Sequence, residues 1–121
     1  MMVRGLRGAT TVELDEEQAV LKATQSLVEE MAKLNSILPQ DIISVLISTT
    51  TDVKSTFPAK AVRSIDGWTY VPVMCTHEME VPGSMPLCIR VLMHVNTDSI
   101  QKDIKHIYQN KAVQLRPDLQ K

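Results

Sequence analysis

The chain has 121 residues, 44% hydrophobic and 22% charged, with a net charge of −1, a size that supports one domain (1–121) with a core needing no metal or disulfide staple. Near-neutrality argues against a global field for nucleic acid or anionic membranes, and one Trp, one Phe and two Tyr are too few for a base-stacking surface. Two cysteines, Cys75 and Cys88, match neither a disulfide framework nor a zinc spacing, and no apolar run has signal-peptide or membrane-spanning length, so reduced thiols and a cytoplasmic location are expected.

Residues 3–12 read as a first strand, carrying Arg4 and Arg7 and interrupted by Gly5 and Gly8, which permit bends or close backbone approach. Asp15 and Gln18 form a capping-box pattern, and Val20, Leu21, Thr24, Leu27, Val28, Met31 and Leu34 follow at helical spacing to a stop at Asn35. That predicts a rod of about 30 Å with a core-facing stripe. Residues 42–50 are apolar almost throughout, as in a buried strand. Pro58 opens a short helix with Lys60 and Arg63 near one face. Residues 68–75 predict a strand in which Pro72 limits pairing, placing it at an edge or a bulge. After a Pro82-Gly83-Ser84 turn, residues 86–95 form another strand. Thr97 and Asp98 cap an expected second main helix with Ile100, Ile104, Ile107 and Tyr108 on one side, and the tail 111–119 reads as a short extended segment closed by a turn. The expected fold is α+β: a mixed β-sheet with two main helices on one face. The other face would be left bare, and a cyclic oligomer would cover it.

Arg90 stands in the middle of the strand 86–95. Alternation puts it on one face with Cys88, Leu92 and His94, while Ile89, Val91, Met93 and Val95 take the other. A guanidinium in such company either reaches an internal carboxylate, leans into water along its stem, or meets an anionic ligand. Arg7, Lys60, Arg63 and Arg116 also lie in or at the ends of expected elements, which in a nearly neutral chain suggests a small substrate with more than one carboxylate. Glu78 gains interest only where its strand end faces Arg90. Neither Cys75 nor Cys88 has an orienting acid or base that spacing would fix, so covalent cysteine catalysis is not expected. His77 and His94 do not form a metal site by spacing, and His94 reads as a satisfied strand histidine. Tyr108 reads as core, with a hydroxyl that needs a partner if buried.

Five blocks carry a family resemblance: Arg4-Gly5-Leu6-Arg7-Gly8-Ala9-Thr10-Thr11, Phe57-Pro58-Ala59-Lys60-Ala61-Val62-Arg63, Gly67-Trp68-Thr69-Tyr70-Val71-Pro72-Val73, Cys88-Ile89-Arg90-Val91, and Lys111-Ala112-Val113-Gln114-Leu115-Arg116-Pro117-Asp118-Leu119. In register over nearly the whole chain, they resemble the small trimeric chorismate mutases of the α/β-barrel-like class. The resemblance implies a pseudo-α/β-barrel homotrimer with active sites at subunit interfaces, converting chorismate to prephenate in aromatic amino-acid synthesis without cofactor or metal. One subunit would supply Arg7, the segment Met74, Cys75, Thr76, His77 and Glu78, then Arg90, Tyr108, Leu115 and Arg116. Its neighbour would supply Phe57, Ala59, Lys60, Arg63 and Val73. Arg90, Glu78 and the Cys75 region would act on the reacting groups. Met74 departs from the family pattern, where a small hydroxyl residue is expected. The alternatives are a trimeric imine/enamine deaminase-like hydrolase and a non-catalytic anion-binding regulatory trimer.

Overall fold

The structure, a computed structural model, describes residues 1–116. Five strands form one mixed sheet in the order β3-β2-β4-β1-β5: β1 is Met2–Thr11, β2 Ile42–Thr49, β3 Val73–His77, β4 Cys88–Thr97 and β5 Ile107–Tyr108. β4 runs antiparallel to both β1 and β2, while β5 is parallel to β1 and β3 is parallel to β2. Helix α1 (Glu17–Leu34) and the short helix α2 (Ala59–Arg63) cover one face, α1 against β1 and α2 against α1 and β3.

α1 buries Val20, Leu27, Val28 and Met31 completely, at about 1.5–3 kcal/mol for each large apolar side chain. Thr24 lies in the same stripe and satisfies its hydroxyl by donating to the Val20 carbonyl at 2.8 Å. Beneath the helices the sheet offers Leu6, Val45, Ile47, Ile89, Val91, Met93 and Val95, all core residues. The helix sits close because Gly8 lacks a side chain: a Cβ there would meet Met31 Sδ at 2.5 Å and Leu27 Cδ1 at 3.1 Å. Gly83 takes φ 82° in the expected turn, which Ser84 N closes by donating to the Val81 carbonyl.

Several expectations are revised. The second main helix over 97–108 does not form; a 3-10 turn at Gln101–Asp103 is followed by extended chain into β5. Ile104 and Ile107 still enter the core, but Ile100 is exposed. Pairing along the free edge of β1 and the clamp of Asn35 on Lys105, with Lys105 N donating to Asn35 Oδ1 at 2.8 Å, override the helical spacing. The second helix on the sheet is therefore the short α2. The segment around 111 is a 3-10 turn (Asn110–Gln114), not extended chain, and Pro117, Asp118 and Leu119 lie outside the described residues. The third strand starts at Val73 instead of Trp68, with Pro72 at its entry and an edge position as expected. Asp15 caps no helix: α1 begins after Glu16, and the Asp15 carboxylate accepts from Lys54 N at 2.9 Å and Ser55 N at 3.1 Å. No helix among the described residues is long and apolar enough to cross a membrane.

Two tests follow from these contacts. Gly8→Ala is expected to lower unfolding free energy by about 1–3 kcal/mol through overpacking. Gly5→Ala, whose Cβ would meet Leu92 Cδ1 at an ordinary 3.6 Å, is expected to stay within about 0.5 kcal/mol; equal denaturation midpoints for the two variants would contradict the close-approach account. Hydrogen bonds, with that from the Ser55 side chain foremost, hold the Asp15 carboxyl below its ordinary 3.8. A lowered folded pKa means the anchor is complete above that value and lost as pH falls through the folded pKa. Amide exchange at Lys54 and Ser55 should accelerate on that acid limb in the wild type and be fast already at pH 7 in Asp15→Ala. Unchanged protection in the variant would mean other contacts hold the loop.

Candidate active site

Strand register aligns most of the candidate residues on the sheet face opposite the helices. Arg90 pairs with Ala9 of β1 on one side and Ser48 of β2 on the other; beyond these, Ala9 pairs with Tyr108 and Ser48 with Thr76. Directly paired residues point the same way, so Thr76, Ser48, Arg90, Ala9 and Tyr108 make one row across five strands. Two residues along, Met74, Leu46, Leu92 and Arg7 make a second row. The small side chains of Ala9 and Ser48 leave room on both flanks of the Arg90 guanidinium.

A cleft of about 310 Å³ lies over these rows, lined by Arg7, Leu46, Ser48, Arg90, Tyr108, Leu115 and Arg116 among others. Its described lining holds three guanidiniums and no carboxylate, a strong local preference for an anion in a chain of net charge −1. Glu78 reaches the edge of this cluster, its Oε2 3.7 Å from Arg90 Nε, with 44% of the Arg90 side chain and 33% of the Glu78 side chain exposed. That is too long for a hydrogen bond, so the guanidinium is oriented by the carboxylate without being consumed by it. Tyr108 is half-buried in this cleft and not a core residue. The segment carrying Leu115 and Arg116 is tied back to β1 by Asn110, which adopts φ 54° and donates to Thr10 Oγ1 at 3.0 Å and the Thr11 carbonyl at 3.2 Å.

The remaining candidates gather elsewhere in the same chain. Pairing of Val45 with Val73, Ile47 with Cys75 and Thr49 with His77 turns those β3 side chains toward the helix-covered face. There a cleft of about 600 Å³ is lined by Phe57, Lys60, Cys75, Thr76 and His77 with Glu17 and the 53–56 loop. The two clefts share no lining residue. Phe57 is 70% exposed, Ala59 is buried and Arg63 is exposed. Lys60 Nζ is held 2.8 Å from Glu17 Oε2. Met74 is 70% exposed on the open face beside Leu46.

The thiols are poor nucleophiles. Burial pushes Cys75 above its ordinary pKa, against the pull of the Ala59 main chain and Arg63. Burial also raises Cys88, against the pull of the adjacent Arg90. A neutral thiol reacts slowly, and the nearest ring to Cys75 in sequence, His77, has its Nε2 3.3 Å from the Val53 carbonyl. His94 is engaged with Ser44 Oγ at 3.1 Å, the satisfied strand histidine that was expected. Among the described residues no three His, Cys, Asp or Glu side chains converge as a metal site requires.

Sequence reasoning missed Ser48, Leu46 and Ala9 as the floor of the cationic cleft. The polar positions Ser44 and Ser48 alternating within 42–49 were the available signal, masked by the strand's overall apolar character. It also missed His106, whose Nδ1 accepts from Arg7 N at 2.9 Å and which no sequence pattern marks.

Comparisons with known proteins converge on one family. Residues 3–119 match the model of the family described as chorismate mutase type I. Chorismate mutase AroH of Bacillus subtilis (strain 168) is 51% identical over 119 residues, covering 98% of this chain and 94% of the relative. Chorismate mutase AroH of Thermus thermophilus is 45% identical over 120 residues, covering 98% of each. A solved chorismate mutase structure from Clostridium thermocellum is 48% identical, with a TM-score of 0.87 over 89% of this chain and 96% of that one. With the family match, the identity and the fold in agreement along nearly its whole length, this chain belongs to the type I chorismate mutases.

Proposed function

We propose that the Arg90 cleft is where this chorismate mutase rearranges chorismate to prephenate, and that a neighbouring subunit completes the site in a homotrimer. Residues 1–121 form a single catalytic domain in this reading, working in the cytoplasm in the synthesis of aromatic amino acids. The observation that carries it is a cleft with three guanidiniums and a tyrosine but no activated nucleophile. The relatives' names favour rearrangement over imine hydrolysis or anion binding without turnover.

The chemistry suits such a site. Chorismate is a dianion, and its [3,3] shift breaks one C–O bond while a C–C bond forms through a chair. No proton moves and no covalent enzyme intermediate is needed. A protein accelerates such a step by holding the reactive chair and stabilising developing charge. Negative charge grows on the ether oxygen as its bond to the ring breaks, and Arg90 donates to that oxygen. Arg7 and Tyr108 grip the enolpyruvyl carboxylate. Glu78, which also orients Arg90, holds the ring hydroxyl and favours positive character in the ring, and the Cys75 side chain, which lines the Phe57 cleft, joins it from the neighbouring subunit. Arg116 offsets the dianion at the mouth, and Leu115 excludes water.

Phe57, Ala59, Lys60, Arg63 and Val73 belong, in this reading, to the neighbour's contribution. Support comes from the two clefts having no residue in common, which separates Phe57 and Lys60 from Arg90 within one chain. Further support comes from the bare sheet face, where Leu46 and Met74 are exposed, a surface a cyclic assembly would cover. Lys60 then exchanges part of its pairing with Glu17 for the substrate's second carboxylate.

Purified protein mixed with chorismate should consume its ultraviolet band and yield prephenate. Arg90→Ala is expected to lower kcat on the order of 10²–10³-fold with the oligomer intact, and Arg90→Lys to recover little, since an ammonium cannot reproduce the planar fork. Near-normal turnover in either variant would remove Arg90 from the chemistry. Shared sites also predict complementation. Arg90→Ala and Arg63→Ala subunits, unfolded and refolded together, should regain activity in roughly a quarter of the sites, far above either variant alone; no recovery would contradict a site built from two subunits.

A further inference from the structure

We propose that His106 is a positioning residue for Arg7: its uncharged ring accepts the Arg7 main-chain N–H and pins the β5 side of the strand from which the Arg7 guanidinium reaches the cationic cleft. The proposal rests on the reading that Arg7 grips a substrate carboxylate. β5 pairs with β1 only at Gly8 and Ala9, so on that edge Arg7 is the first residue beyond the ladder. Its N–H is met not by another main-chain carbonyl but by His106 Nδ1 at 2.9 Å. Arg7 stays paired with Leu92 of β4 on its other side, so without that acceptor its N–H would lose its partner on the β5 side and the backbone that aims the guanidinium would be pinned from one side only.

The ring is itself held in place from both sides. Before it, Lys105 is clamped to the end of α1, donating its N–H to Asn35 Oδ1 at 2.8 Å and accepting from Asn35 Nδ2 at 2.9 Å. After it, Ile107 and Tyr108 enter the sheet. An Nδ1 that accepts requires the neutral tautomer with its proton on Nε2, because an imidazolium has only donors. The charged groups acting on the ring are Arg7 from β1 and Arg116 from the segment beyond the 3-10 turn, both cations. Lys105 precedes it in sequence, Tyr108 follows two residues on, and α1 meets this segment through the uncharged Asn35. Partial burial, followed by those two guanidiniums, pushes the ring below its ordinary 6.5, so the accepting form persists where a free histidine would be half charged.

The test compares His106→Asn, whose Oδ1 stands where Nδ1 does and does not titrate, with His106→Leu, which cannot accept. KM and kcat for chorismate are measured at pH 7.5 beside Arg7→Ala, and the Arg7 amide and His106 ring nitrogens are followed by ¹⁵N NMR in the wild type. The expected result is a KM within about twofold of wild type for His106→Asn and raised about fivefold for His106→Leu, the scale of one lost hydrogen bond, with kcat moving less than KM in both. The His106 nitrogens should report a neutral Nε2–H ring at pH 6.5. Equal KM values for Asn and Leu variants while Arg7→Ala raises KM would overturn the positioning role alone. A protonated Nδ1 at pH 6.5 would overturn it as well. An Arg7→Ala enzyme with wild-type KM would overturn the carboxylate role of Arg7 and this proposal with it.

Discussion

The register of β4 is the constraint on which the rest depends. Ile89, Val91, Met93 and Val95 are all buried against the helices, and alternation then forces Arg90, Leu92 and His94 onto the opposite face. A slip of one residue would drive a guanidinium into the core and expose four apolar side chains, so the register is set by a large free-energy difference. The neighbours inherit it. Pairing with β1 brings Arg7 and Ala9 alongside, pairing with β2 brings Ser48, and β5 adds Tyr108 through Ala9. The cationic cleft is thus a by-product of core burial on the other side of the same strands.

Most of this face was legible in the sequence because period-two alternation around Arg90 is strong. The long helix was equally legible from Val20 to Leu34. Residues 97–108 were not, because Ile100, Ile104 and Ile107 fit helical spacing as well as they fit an extended chain touching the core at intervals. What decides the matter is non-local: β1 needs a partner at Gly8 and Ala9, and Asn35 pins Lys105 from 70 residues away. Asp15 fails as a cap for a related reason. Its carboxylate finds two loop amides across the fold, and a local pattern cannot anticipate them. The side of β3 on which Cys75 lies depended on where that strand begins, which Pro72 obscured. Membership of the chorismate mutases, and an expected division of the motif blocks between two subunits, were legible through the resemblance, whereas the placement of the Cys75 side chain in the Phe57 cleft emerges only in three dimensions.

The site's electrostatics fit a reaction that asks for positioning and charge stabilisation. Both thiols are held in their neutral form by burial, and His77 and His94 are occupied by structural partners. What remains is a set of permanent cations. In a cleft with apolar walls, a guanidinium already oriented by a carboxylate 3.7 Å away needs little reorganisation when charge develops beside it, which is the physical basis of the role proposed for Arg90. The second group of residues, on α2 and the loop before it, is anchored to the start of α1 by Asp15 and by the Glu17–Lys60 pair. The fold therefore presents two separate clusters on one chain, and the symmetric assembly proposed above would bring them together as unlike halves of one site.

The most direct test of the account is a crystal structure with a bicyclic mimic of the rearranging ether bound. It should show an Arg90 guanidinium nitrogen within about 3 Å of the bridging oxygen, Arg7 and Tyr108 on a carboxylate, and Phe57 and Lys60 of a neighbouring subunit closing the opposite side. A mimic bound away from the Arg90 cleft, or with no guanidinium at its bridging oxygen, would contradict it.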